Sequence, residues 1–323
     1  MGQKYAKEEM KISVLMSAYN AEDYISEAIR SIVNQTYTEW ELLICDDASS
    51  DRTSQIVKSY KDTRIKLYRN QENLKKPRSI NYLFTKSCGS LITVHDADDV
   101  SLPRRFEKLV AVFRNDSELY MCGHIIERMN INGKPLGLFR KKAANYEEIK
   151  KAMSESNTDG DPSVFIRREV FDKIGEVFRP YFNNNMDYDL ALRVIEKFRS
   201  TNIKEVLSYY RNVPNSISKG VVTHKKLITH YITKELAKQR QETGSDALMV
   251  NDFEQIEEWE RIYSQPYLQD KTLHFREMAS FFMYTKMNKQ AILFMLKAIV
   301  QDPWKWKNWH TLQYCIRRTL FGI

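Results

Sequence analysis

The chain has 323 residues, 42% of them hydrophobic and 12% aromatic, which is enough to bury one large core or two ordinary ones and excludes wholesale disorder. Its 50 basic and 42 acidic residues give a formal charge of +8, scattered as pairs (Arg104–Arg105, Lys141–Lys142, Arg167–Arg168) rather than drawn into one stripe. That excess suits phosphates, diphosphates or an anionic membrane surface, and no nucleic-acid partner is expected.

Four widely spaced cysteines (Cys45, Cys88, Cys122, Cys315) form no CxxC pair, which argues against a zinc knuckle or a disulfide framework. Lys4, Lys7, Glu8 and Glu9 stand where a signal peptide would need apolar residues. No apolar run approaches the roughly 20 residues that span a bilayer. A cytoplasmic protein is expected, with at most peripheral attachment to the inner face of a membrane.

Residues 12–16 read as a buried strand, followed by a helix carrying Ile25, Ala28, Ile29, Ile32 and Val33. Residues 42–45 form a second buried strand, and Ile56, Val57 and Tyr60 mark a second helix. Strands at 65–68 and 91–94 continue the alternation, with Ile80, Leu83 and Phe84 on the helix between them. Strands alternating with helices predict an α/β fold, a mainly parallel sheet with flanking helices and right-handed crossovers. Pro103 suits the first turn of a further helix that buries Phe106, Leu109, Val110 and Phe113. Asn132-Gly133 suggests a hairpin. After a polar loop at 157–162 come a strand at 163–166 and a helix with Leu190, Ala191, Val194, Ile195 and Phe198 on one face. From about His224 only helical patterns remain. The expected division is a catalytic domain over 1–220 and a helical domain over 221–323 packed on it. Residues 291–303 resemble a single helical-repeat unit.

Ten glycines are present and no two are separated by a single residue. That removes the dinucleotide fingerprint, the P-loop and the nucleophile elbow, and H-E-x-x-H is absent too. A nucleotide bound to this sheet must have its phosphates neutralised by something other than a glycine cradle. Asp96-Ala97-Asp98-Asp99 directly follows the strand at 91–94, at the carboxyl end where open α/β sheets place ligands. Carboxylates can face a diphosphate there if a hard divalent cation bridges them. A solvated acidic turn capping the next helix is the alternative. Asp46-Asp47 ends the earlier strand, where a helix cap is the alternative. Both pairs lie on one rim of the sheet.

The run from Ser13 to Asn20 (SVLMSAYN), residues 28–37 and Asp46-Asp47-Ala48-Ser49-Ser50-Asp51 resemble the opening of family 2 glycosyltransferases with the GT-A fold. Asp96-Ala97-Asp98-Asp99 with Leu102-Pro103 and Arg105-Phe106 resembles the family's D-x-D block. Pro162-Ser163-Val164, then Asp187-Tyr188-Asp189-Leu190 with Arg193, then Tyr210-Arg211 with Asn215-Ser216-Ile217-Ser218 resemble its later blocks. The likeness covers about residues 11–218, in order. It implies the GT-A (nucleotide-diphospho-sugar transferase, Rossmann-like) fold and an inverting transfer from a nucleotide-sugar, a UDP-sugar favoured, to a hydroxyl of a glycan or lipid-linked acceptor in cell-surface polysaccharide synthesis. The roles it implies put Ser17, Tyr19 and Asp47 on the base and ribose, with Asp47 accepting from a base N–H. Asp96 contacts the ribose or its side of the diphosphate, Asp98 ligates Mn²⁺ or Mg²⁺, and Asp187 is the catalytic base. Asp187 also stands at the start of its helix, where the dipole favours an ionised carboxylate. The Gln-x-x-Arg-Trp signature of processive synthases is absent, so non-processive transfer is expected. Met186, Val213 and Asp161 depart from the family pattern, and with them a non-catalytic nucleotide-sugar-binding relative, acting as an interaction protein, is the alternative.

The tail interleaves Trp304, Trp306, Trp309, Tyr314 and Phe321 with Lys305, Lys307, Arg317 and Arg318. Such a segment can lie at a membrane interface. The plainer expectation is a helix burying its tryptophans against the catalytic domain. Phe281, Phe282, Tyr284, Met287, Phe294 and Met295 are likewise expected in the core.

Overall fold

A computed structural model describes residues 10–139, 145–155, 163–213, 224–284 and 287–321. The chain divides into two compact units, Met1–Gly220 and Val221–Ile323.

The first unit opens with β1 (Ile12–Ala18), α1 (Ile25–Val33), β2 (Trp40–Asp46), α2 (Thr53–Ser59), β3 (Ile65–Arg69), α3 (Lys75–Lys86) and β4 (Leu91–Val94). β1, β2 and β4 are almost wholly buried, so they read as continuous apolar runs rather than alternating ones. Then follow β5 (Val100–Ser101), α4 (Arg105–Asn115), β6 (Met121–Met129), β7 (Pro135–Phe139), α5 (Tyr146–Glu155), β8 (Phe165–Arg167), α6 (Phe171–Ile174), α7 (Met186–Ile195) and β9 (Ser200–Arg211). One sheet runs β3-β2-β1-β4-β8-β6-β9-β5, with β7 paired to β6 at its side. Pairings are parallel from β3 through β4, antiparallel on both sides of β8, and parallel again between β6 and β9. The sheet is therefore mixed, with its parallel half at the N-terminal end.

One core cluster sits against this parallel half. Ile25, Ala28, Ile29 and Ile32 of α1 and Phe106, Leu109, Val110 and Phe113 of α4 all enter it, at the helical spacing that puts them on one face. The Asn132-Gly133 turn joins β6 to β7, with Gly133 at φ 79 and its N–H donating to the Asn130 carbonyl.

The second unit holds α8 (His224–Thr243), α9 (Phe253–Gln269), α10 (Leu273–Tyr284), α11 (Asn288–Gln301) and α12 (Trp306–Phe321). Ala279, Met283, Ala291, Met295, Ala298, Leu312 and Cys315 form its core cluster, the alanines letting α10, α11 and α12 approach closely. Met295 is buried as expected, and Phe282 and Phe294 pack against the cluster. Phe281 and Tyr284 are exposed instead, and so are Trp304, Trp306 and Trp309, with Trp304 at 94%. The tail therefore does not bury its tryptophans: α12 turns Asn308, Leu312 and Cys315 inward and leaves its aromatics on the other arc. Among the described residues no helix is long and apolar enough to cross a membrane.

Candidate active site

The carboxyl ends of β1, β2 and β4 form one rim. Ser17 is partly exposed near the end of β1, and Tyr19 beyond it is 52% exposed. Asn20, left-handed at φ 47, bends the chain away: its side chain accepts from the Ser50 N–H at 2.9 Å, while its own N–H donates to Ser49 Oγ at 3.0 Å.

Asp47 follows β2 and is buried. Its Oδ1 accepts from Asn70 Nδ2 at 2.7 Å and the Leu74 N–H at 2.9 Å, and its Oδ2 from the Lys75 N–H at 2.9 Å. Those bonds hold the first turn of α3, where Lys75 sits at φ 72, a conformation disfavoured for a residue with a Cβ. A carboxylate offers about four acceptor directions. Three are spent here, leaving one on Oδ2.

The clamp sets the position of Lys76, whose side chain is 15% exposed and pairs with Asp96. Burial opposes its charge, but the carboxylates of Asp96, Asp187 and Asp98 together hold it above the usual lysine range. The structure thus brings Asp96 and Asp98, after β4, within electrostatic reach of Asp187, in the first turn of α7, through one shared cation. Asn81 of α3 ties the approach to α7: it donates to the Phe178 carbonyl at 2.7 Å and accepts from the Phe178 N–H at 3.0 Å. Asn185 enters α7 at φ 64. Asparagine tolerates that left-handed geometry, which accounts for one residue of the Asn183-Asn184-Asn185 run. Met186 is buried, so the position where the family pattern has an acid faces inward here.

Enclosure, and then the Asp96 charge, push Asp98 up to about 6 in spite of Lys76 and Arg211. Enclosure and the charges of Asp98 and Asp96 raise Asp99 as well. Arg211, at the end of β9, clamps this turn. Its N–H donates to Asp99 Oδ1 at 2.9 Å, its Nε to the Asp98 carbonyl at 2.8 Å, and its Nη2 pairs with Glu27 at 2.5 Å.

Behind the turn lies His95, pushed down to about 3 by burial and by Arg105. Arg105 Nη1 donates to Ser101 Oγ at 2.7 Å, and Ser101 Oγ lies 3.0 Å from His95 Nε2. An arginine only donates, so the serine hydroxyl proton is left for Nε2. The imidazole proton then resides on Nδ1, which donates to the Asp96 carbonyl at 2.9 Å. This chain of bonds fixes the backbone that presents Asp96 and Asp98.

Lys76, Arg211 and His95 escaped the sequence reading as site residues. The Lys75-Lys76 pair before Pro77 opens the helix between β3 and β4, but nothing in its spacing says which acids it meets. Val213 is partly exposed, its N–H donating to the Arg211 carbonyl. Asp161, Pro162 and residues 215–218 lie outside the described residues.

A nine-stranded mixed sheet with acids gathered where its strands β2 and β4 end defines an α/β protein with an acidic rim. The family model described as glycosyl transferase family 2 matches residues 13–175, and the chain belongs to that family. It is 32% identical over 240 residues to the O-antigen biosynthesis glycosyltransferase WbnJ of Escherichia coli, covering 71% of this chain and 90% of that one. It is 29% identical over 230 residues to an uncharacterized glycosyltransferase of Methanocaldococcus jannaschii, covering 69% and 78% respectively. The fold matches the S. aureus TarS 1–349 crystal structure in complex with UDP-GlcNAc at a TM-score of 0.59 and 19% identity, over 71% of this chain and 67% of that one. The fold is therefore GT-A-like, with a helical C-terminal region.

Proposed function

We propose that the chain acts in the cytoplasm as an inverting, non-processive glycosyltransferase. It moves a sugar from a UDP-sugar to a hydroxyl of a glycan or lipid-linked acceptor of a cell-surface polysaccharide. The names of WbnJ, an O-antigen biosynthesis enzyme, and of TarS with its bound UDP-GlcNAc support the acceptor and donor classes. The observation that carries the reading is the Lys76–Asp96 pair at the carboxyl end of β4, with Asp98 and Asp187 near enough to act on the same ammonium.

Tyr19 and Ser17 border the base and ribose, Asp47 accepts a base N–H with its remaining lone pair, and Asp96 meets the ribose side of the diphosphate. Asp98 holds Mn²⁺ or Mg²⁺. Among the described residues no group of three His, Cys, Asp or Glu side chains is placed to hold an ion. The carboxylate oxygens of Asp98 are the hard donors these cations prefer, and would share the ion with the donor's phosphates. When bound, the metal supplies Lewis-acid stabilisation of the departing nucleoside diphosphate. Asp187, kept ionised by the N-terminal dipole of α7, takes the acceptor proton as the hydroxyl attacks the anomeric carbon. A single displacement inverts that centre.

A panel of nucleotide-sugars with Mn²⁺, read by thermal shift and by released nucleoside diphosphate, tests this. UDP-sugars should stabilise the fold and be turned over. Donor binding without release under any acceptor would instead favour the non-catalytic reading motivated by Met186 and Val213, and full activity in excess chelator would remove the metal from Asp98.

A further inference from the structure

The corner where α11 meets α12 carries exposed apolar surface that the second unit's core does not use. Val300 is 82% exposed and Trp306 67%, beside Trp304 and Trp309. The Trp309 indole donates to the Pro303 carbonyl at 2.7 Å, so the corner is built rather than loose. Along α12 the positions of Trp306, Trp309, Ile316 and Leu320 fall on one helical stripe, next to the inward stripe of Asn308, Leu312 and Cys315. The opposite flank carries Lys307, Arg317 and Arg318, all exposed. Residues 286–321 contain seven Lys or Arg against the single acid Asp302.

Tryptophan-rich apolar surface with a cationic flank and almost no acid matches the chemistry of a phospholipid interface. Indole rings settle at headgroup depth, and lysine and arginine are drawn to anionic lipid. We propose that this face of α11 and α12 rests on a membrane surface containing anionic lipid. It holds the protein there through that face alone. The proposal stands apart from the catalytic reading, since none of these residues belongs to the acidic site.

The test is flotation of the full chain with phosphatidylcholine vesicles and with vesicles containing about 30% phosphatidylglycerol, at low and high salt. Wild type should float with the anionic vesicles alone, and less at high salt. Trp304→Ser with Trp306→Ser should weaken the partition at least about tenfold. Lys307→Glu with Arg317→Glu and Arg318→Glu should weaken it about a hundredfold. Both variants should melt like wild type and release nucleoside diphosphate in solution at the wild-type rate, which separates this result from a failure of catalysis. Absence of wild-type binding at low salt would overturn the proposal. So would aromatic variants that float undiminished, because adsorption would then be a matter of net charge. If the tryptophan variants instead turned a sedimenting dimer into a monomer, the face would belong to a second copy of the chain.

Discussion

Asp187 and Asp189 share the first turn of α7 but not an environment. Asp189 is fully buried and paired with both Arg179 and Arg193, and Arg193 further donates to the carbonyls of Ile174, Glu176 and Val177. Its carboxylate binds the loop before α7 to the helix. Asp189→Ala should therefore cost ~3–5 kcal/mol, the penalty for stranding buried charges, seen as a large fall in melting temperature. Asp187→Asn should melt normally and keep its affinity for nucleoside diphosphate by calorimetry, while transfer falls by roughly 10²–10⁴. A variant at 187 that still transfers would move the base elsewhere. Lys76→Met should destabilise the fold by ~1–3 kcal/mol at neutral pH. The loss should shrink near pH 5, because Asp98, raised to about 6 in the folded state, binds a proton there that the unfolded chain does not. Melts at the two pH values check this. The places of Asp96 and Asp98 after a strand and of Asp187 at a helix start could be read from the sequence, because strand and helix patterns end there. Lys76 could not, since its partners lie on two other segments and only the Asp47 and Asn81 clamps bring them together.

At the level of elements, β1, β2 and β4 were legible because full burial turns them into apolar runs. β5, two residues long, carries no pattern, and the pairing of β6 with β9 joins segments whose register no local signal records. Like Asp46 at the strand's end, Glu41 is a buried charge inside β2. Burial works against its ionisation, yet hydrogen bonds from the Cys88 N–H and Ser13 Oγ, both at 2.7 Å, with Lys66, bring it from 4.5 down to about 2. A depressed carboxyl stabilises the fold fully above pH 4.5, and that contribution drains away as pH falls through 2. Glu41→Gln should therefore flatten the acid limb of stability between those values, with ~3 kcal/mol lost at neutral pH. Equilibrium denaturation across that range decides it. Gly89 belongs to the same knot: its N–H donates to Ser13 Oγ at 2.8 Å, and an added Cβ would lie 2.6 Å from the Lys11 carbonyl and the Ser13 nitrogen. Gly89→Ala should push β1 and β4 apart and lower the melting temperature, whereas Ser90→Ala next to it should not.

Over the whole molecule, the boundary between alternating and purely helical patterns is visible in the sequence because the period changes from strand to helix. Which arc of α12 faces inward was not, because tryptophan serves a core and a surface equally well and only the packing of Asn308, Leu312 and Cys315 decides it. Ala298, wholly buried in the second unit's cluster, should not tolerate growth. Ala298→Leu should cost ~1–3 kcal/mol by overpacking, measurable by melting, with donor affinity in the first unit unchanged. The order of strands also departs from the order of synthesis. The ribosome delivers β1 to β4 as a self-contained parallel half-sheet, but the neighbour that β4 requires is β8, with Leu91 opposite Arg167. β6 in turn waits for β9 to cover its other edge. Until then the nascent chain carries an open, apolar strand edge, the kind of surface on which another chain can pair. Closure through such distant segments is slow, so the interval in which this protein is vulnerable to aggregation is set by its topology rather than by its final stability.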